Sequence, residues 1–294
     1  MDLDQISFIS ALDMKLSLVM FGLSGASATF PCVWCDLNKF NFLDNDRNEA
    51  RKLRTVGSSK NSAAEYQEAA KKHKQKTKLS AAPYKGCQHD PLVAHEDSAV
   101  IIDVLPLMEL HLLLGIISRL FNHLNDILIQ IPGNTITAKD WSTECALVRP
   151  KFHGGEFNGN SCKILLNSVD KLEKIAPKEN NEVQQVVKVL KDFKTIKDMC
   201  FEKEVKSDYR VAIKEFEASY KLLGISVSPK VHAVLFVRQN DGLGLGHHSE
   251  QASEAVHKDF TKLWTGACYK REMINKEYSN NLLKCVLVYN SRNK

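Results

Sequence analysis

The stretch Leu107-Met-Glu-Leu-His-Leu-Leu-Leu-Gly-Ile-Ile-Ser-Arg-Leu-Phe-Asn-His-Leu-Asn-Asp-Ile-Leu128 decides the fold class. Its apolar residues recur at Leu110, Leu113, Leu114, Ile117, Leu120, Phe121, Leu124 and Leu128, the spacing of a helix buried on one face. Ile131-Pro-Gly ends the pattern. The greasiest part of the chain, residues 101–121, also carries Asp103, Pro106, Glu109, His111 and Arg119. That is too polar for a bilayer span, so a core helix over 107–129 is expected and no membrane partner.

Outward from that helix the same period predicts further helices at 138–146, 161–175, 180–199 and 207–223, the last stopped by Gly224. A pair at 228–237 and 249–265 flanks a glycine-rich segment, and a final helix runs from Met273 toward Val288. Upstream, a strand is expected near residues 6–11, then a helix at 13–23, a turn carrying Cys32-Val-Trp-Cys35, and a helix at 63–76. The chain reads as mainly α with a few strands.

Composition fits a globular protein of one large domain or two small ones: 294 residues, 44% hydrophobic and 26% charged. Eight cysteines spread over the whole length, with one close pair, point to a reduced intracellular protein and not to a disulfide scaffold. The opening Met1-Asp-Leu-Asp-Gln5 lacks the basic and apolar regions of a secretory signal.

The net charge of +5 is unevenly placed, with ten Lys or Arg against three Glu between Arg47 and Lys78. Lys71, Lys72, Lys74, Lys76 and Lys78 together can neutralise several phosphates, which would make DNA a salt-dependent partner. A solvated helix face carries the same residues. Gly242-Leu-Gly-Leu-Gly246 lacks the spacing of a dinucleotide loop and reads as a hinge before the helix at 249–265.

Cys32-x-x-Cys35 sets two thiols on one tight turn at a spacing that suits tetrahedral zinc. Such a site needs two more ligands from elsewhere. His232 is the third candidate. The usual partner histidine five residues further on is replaced by Val237, which leaves the fourth ligand open, with His247 or His248 as the substitutes a chain reversal could bring. Free buried thiols and a redox pair are the other readings of the same turn.

Six words, taken in order, resemble the catalytic core of Transib-type DDE transposases and the catalytic subunit of the V(D)J recombinase, with some similarity to CACTA and Chapaev transposases. They are Leu12-Asp-Met-Lys-Leu16, Pro31-Cys-Val-Trp-Cys35, Leu110-His-Leu-Leu-Leu-Gly115, Phe152-His-Gly-Gly-Glu-Phe-Asn-Gly-Asn-Ser-Cys162, Pro229-Lys-Val-His232 and Ser249-Glu-Gln-Ala-Ser-Glu-Ala-Val-His257. The resemblance implies the C-terminal portion of a ribonuclease-H-like α/β fold with a large helical, zinc-linked insertion. Residues 1–30 would be the residual strand and helix, 31–240 the insertion, and 241–294 the segment with the last catalytic helix.

In that family Asp13 would be the second catalytic acid and Glu250 the last. They would hold Mg or Mn ions about 3.5–4 Å apart for phosphodiester cleavage and strand transfer. Taken singly, the two acids also suit a helix cap and a helix first turn. His111, Glu254 and His257 would support the site from beside it, although His111 alone would pass for a hydrogen-bonded core histidine. The family's first catalytic Asp lies upstream of the strand that carries the second, and only twelve residues precede Asp13. The expectation is therefore an incomplete DDE-type enzyme, or a DNA-binding or protein-interaction module derived from one. A DNA substrate implies a nuclear protein, with the cytoplasm as the other expectation, and the family implies a homodimer.

Overall fold

The structure, a computed structural model, describes residues 14–44, 51–74, 77–93, 95–107, 109–147, 157–234 and 244–248. It is mainly helical. Extended pairing among the described residues consists of three isolated antiparallel bridges, Leu23 to Cys87, Cys35 to Leu53 and Thr55 to Val100. The predicted strand at 6–11 and the helices at 249–265 and from 273 lie outside the described residues.

The helices in chain order are α1 (Met14–Met20), α2 (Val56–Lys72), α3 (Ile101–Val104), α4 (Glu109–Gln130), α5 (Ala138–Glu144), α6 (Gly159–Asn167), α7 (Val169–Ile175), α8 (Asn181–Cys200), α9 (Tyr209–Lys221) and α10 (Pro229–Val234). Their starts follow local chemistry. Thr55 and Ser58 exchange side-chain and backbone hydrogen bonds in a capping box that opens α2 well before the predicted residue 63. Thr137 with Asp140 opens α5, and the side chains of Asn158 and Asn180 cap α6 and α8. The predicted helix at 161–175 is two helices, because the N–H of Ser168 turns back to Ile164 and Leu165 and closes α6 before α7 begins. Gly224 takes φ +65 just beyond α9, as its position had suggested.

The long helix α4 is the axis of the body. It packs against α5, α6, α8 and α10, so its buried set is wider than one stripe and includes Leu112, Ile116 and Ile127, whereas Leu110 and Leu114 of the predicted stripe are only half-buried. A helix apolar on several sides is one covered on several sides. α8 and α9 form an antiparallel pair joined by a cluster of Phe193, Phe216 and Tyr220, with successive ring centroids 5.6 and 5.7 Å apart. Leu18 and Phe21, from α1 and the turn after it, belong to the same core as the Cys32 turn and α4.

Two contacts set the place of α10. Gly115 of α4 lets Lys230 lie across it, where a Cβ would fall 2.0 Å from Lys230 Cδ. Arg119 of α4 donates from Nε to the Tyr220 hydroxyl at 3.0 Å and from Nη2 to Ser226 Oγ at 2.8 Å, fixing the connection between α9 and α10. The helix that carries His232 is thereby held against the centre of the body.

Candidate metal centre

The turn Pro31-Cys32-Val33-Trp34-Cys35 is buried and pinned from several directions. Trp34 donates from Nε1 to the Leu105 carbonyl at 2.7 Å. Arg54, only 3% exposed, donates from Nε to the carbonyls of Cys32 and Cys35 at 3.1 and 2.8 Å. Its Nη2 donates to the Lys85 carbonyl at 2.6 Å, and its backbone N–H to the Trp34 carbonyl at 2.9 Å. One guanidinium thus closes the Cys turn against the Lys85-Gly86-Cys87 segment, a task suited to its planar fork of donors. Backbone N–H groups meanwhile face the sulfurs. Those of Trp34 and Cys35 hydrogen-bond Cys32 Sγ, and that of Leu37 lies 3.4 Å from Cys35 Sγ.

His232 arrives from the far end of the chain on α10 and is fully buried. Its Nε2 lies 3.4 Å from Cys35 Sγ, a contact between residues 197 apart in sequence. The ligand atoms of Cys32, Cys35 and His232 all lie within 4.8 Å of one another. Zinc bonds of about 2.0–2.3 Å in a tetrahedron separate ligand atoms by roughly 3.3–3.8 Å. Two soft sulfurs, an imidazole and N–H groups aimed at sulfur form a donor set that fits such an ion. The cluster can hold a metal such as zinc.

The protonation chemistry agrees with that fit. Burial opposes ionisation of Cys32, but hydrogen bonds from the Cys35 thiol and the backbone, with the charge of Arg54, bring its thiol below the ordinary range. Cys35 is pushed the other way, first by its hydrogen bond to Cys32, then by burial and the charge on Cys32. Two sulfurs this close share one negative charge unless a cation takes up the second. Burial also lowers His232, against the opposing pull of Cys35, and so favours the neutral imidazole that a metal requires.

Of the other predicted site residues, Asp13, Glu250, Glu254, His257 and Lys76 lie outside the described residues, as does Val237. His247 and His248 close a 3-10 turn, Leu245–His248. That turn is docked: the N–H groups of Gly244 and Gly246 reach the carbonyls of Lys203 and Glu202 at 2.8 and 3.1 Å. A Cβ on Gly244 would fall 2.1 Å from the Glu202 carbonyl oxygen, so Gly244 and Gly246 serve close backbone approach, while Gly242 of the expected hinge lies outside the described residues. His111 is half-buried on α4, two residues after buried Glu109, which pairs with Lys163 at 3.7 Å. Lys71, Lys72, Lys74 and Lys78 are exposed. Lys72 pairs with Glu68 at 2.8 Å, and Lys78 Nζ lies 3.5 Å from Gln88 Oε1.

Sequence reading passed over two residues of the centre. Arg54 belongs to the basic run, yet it is turned inward. Phe42 lies face to face with the His232 ring. The run Phe40-Asn-Phe42, five residues past Cys35, was the available signal. No protein-family model matches the chain, and no curated protein matches it.

Proposed function

We propose that this chain is the zinc-stapled helical body of a DDE-type DNA recombinase of the Transib and V(D)J kind, with the ribonuclease-H-like architecture that the kinship implies. The observation that carries the reading is the meeting of Cys32, Cys35 and His232. Those residues stand in two separate words of the sequence, and they converge in one buried cluster across almost 200 positions.

In this reading zinc is structural, held by Cys32, Cys35 and His232, and supplies a closed positive centre that ties α10 to the N-terminal turn. The fourth ligand is left open, with His247 or His248 as the candidates in the sequence. Asp13 directly precedes α1 in sequence, and Leu18 and Phe21 anchor that region in the core of the Cys turn. Glu250 follows the docked turn 245–248. When bound, Mg or Mn ions would polarise the phosphate and activate the attacking oxygen. Asp13 and Glu250 are the chain's own contribution to holding them, and the basic residues 71–78 neutralise backbone phosphates.

The test is nicking of supercoiled DNA in the presence of Mn, by the parent chain and by the Asp13→Ala and Glu250→Ala variants. Nicking that both substitutions abolish supports the recombinase. Salt-dependent binding that survives both substitutions, without any nicking, overturns it in favour of a DNA-binding module derived from one.

A further inference from the structure

A second site lies beside the metal centre and shares two of its segments. It is a cleft of about 950 Å³ whose lining includes Lys39, Phe40, Arg119 and Lys221, with Ile225 and Val227 among its apolar walls. Three cations from three separate elements line it, together with one carboxylate, Asp44. A cavity of this size is at the upper end of the range for small-ligand pockets.

The local structure presents these groups rather than hiding them. Asn38 Oδ1 accepts from the Phe40 N–H at 3.1 Å and shapes a 3-10 turn, Lys39–Asn41. Lys39 is tied at both ends, its N–H to the Thr29 carbonyl at 2.9 Å and its Nζ to the Ser27 carbonyl at 2.6 Å. The Phe40 ring consequently stands 79% exposed, with Lys39 Nζ 5.5 Å from its centroid. Two residues further on, Phe42 points the opposite way and is fully buried. An aromatic ring held out on a pinned turn gains nothing from folding, because its apolar surface stays in water. Arg119 is likewise preset. Tyr220 and Ser226 engage its Nε and Nη2, and Nη1 makes no hydrogen bond within the described residues. Lys221, in the last turn of α9, is exposed and forms no ion pair among the described residues.

Fixed cations interleaved with an exposed aromatic face match the chemistry of a phosphate joined to a planar base. We infer that this cleft binds an unpaired segment of nucleic acid, with its phosphates on Lys39, Arg119 and Lys221 and a base stacked on Phe40. Duplex DNA keeps its bases stacked inside and cannot offer one to Phe40, so the cleft discriminates strand from duplex. The inference rests on the nucleic-acid reading above but uses neither Asp13, Glu250 nor residues 71–78.

The test is fluorescence anisotropy of the full chain with a labelled short oligo-dT, the matched duplex and a labelled thymidine mononucleotide. Phe40→Ala is expected to weaken oligo-dT binding about tenfold or more, and Phe40→Trp to restore it. Lys221→Ala lowers the slope of log affinity against log salt by roughly 0.7. Phe40 is exposed, so the melting temperature of its variants stays at the parent value, and duplex binding is unchanged by either substitution. Oligo-dT affinity indifferent to both substitutions overturns the inference. So does an oligo-dT affinity no greater than that of the mononucleotide, or an acidic peptide that competes as well as oligo-dT. Duplex binding without oligo-dT binding sinks the cleft and leaves the recombinase reading standing. Oligo-dT binding through Phe40 without any nicking does the reverse.

Discussion

Phe42 lies flat on the imidazole of His232, with ring centroids 3.7 Å apart and planes 2° from parallel. Both rings are fully buried, so the stack sets the plane in which Nε2 faces Cys35. It also connects the two sites, since Phe40 at the cleft and Phe42 at the imidazole are two residues apart on one pinned turn.

Phe42→Ala removes a fully buried ring and leaves a cavity beside His232. The loss of stability is expected to be about 3–5 kcal/mol by urea denaturation. Phe42→Leu keeps most of the volume but not the flat face, so it costs less stability while still weakening metal affinity. Equal metal affinity in Phe42→Leu and the parent would show that the stack does not orient the histidine.

Cobalt titration should give thiolate charge-transfer bands at one ion per chain, and these are lost in Cys32→Ser, Cys35→Ser and His232→Ala. Zinc present at a thousandfold excess over its dissociation constant adds about 4 kcal/mol, so chelation lowers Tm by roughly 10 °C. Because the Phe40 turn leans on His232 through Phe42, chelation should also weaken oligo-dT binding. A Tm unmoved by chelators would mean that the thiols and imidazole form an ordinary buried cluster.

Arg54→Ala strands the carbonyls of Cys32, Cys35 and Lys85 without their donor, at a cost of about 3 kcal/mol or more. Arg54→Lys does little better, since one ammonium cannot span acceptors on both sides of the turn. Calorimetry on both variants checks this. A lysine variant as stable as the parent would remove Arg54 from the account of the turn.

Glu217, on α9, has a buried Oε1 without a hydrogen-bond partner among the described residues. Burial, only partly offset by the charges of Lys221, Arg51 and Lys214, raises its carboxyl above the ordinary range. An acid raised on folding binds more protons folded than unfolded between the two values, so stability falls as pH rises through that window. Glu217→Gln is therefore expected to be more stable than the parent at neutral pH, by about 1 kcal/mol at most. The gain should vanish below about pH 4. Equal stability of the two chains at neutral pH would show that solvent already relieves the charge.

Periodicity by itself determined that the chain is mainly α, because a one-sided apolar stripe leaves a long segment such as 109–130 few other ways to bury its surface. Turn chemistry likewise marked Gly224 as a stop. The break at Ser168 and the early start at Thr55 were not legible, since each depends on hydrogen bonds between residues of ordinary helix propensity. At the centre, the thiol spacing of Cys32 and Cys35 was local and readable, and the Pro229-Lys-Val-His232 word supplied the third candidate ligand. What only the tertiary structure decided is which charges and rings turn inward. Arg54 and Lys52 are two positions apart in one basic run, yet Arg54 alone meets carbonyls from three residues around the Cys turn. Phe40 and Phe42 carry the same side chain on one turn, and their neighbours in space make one a wall of the metal centre and the other an exposed platform. Those outcomes depend on which distant elements are near, and the sequence order of a chain does not specify distance.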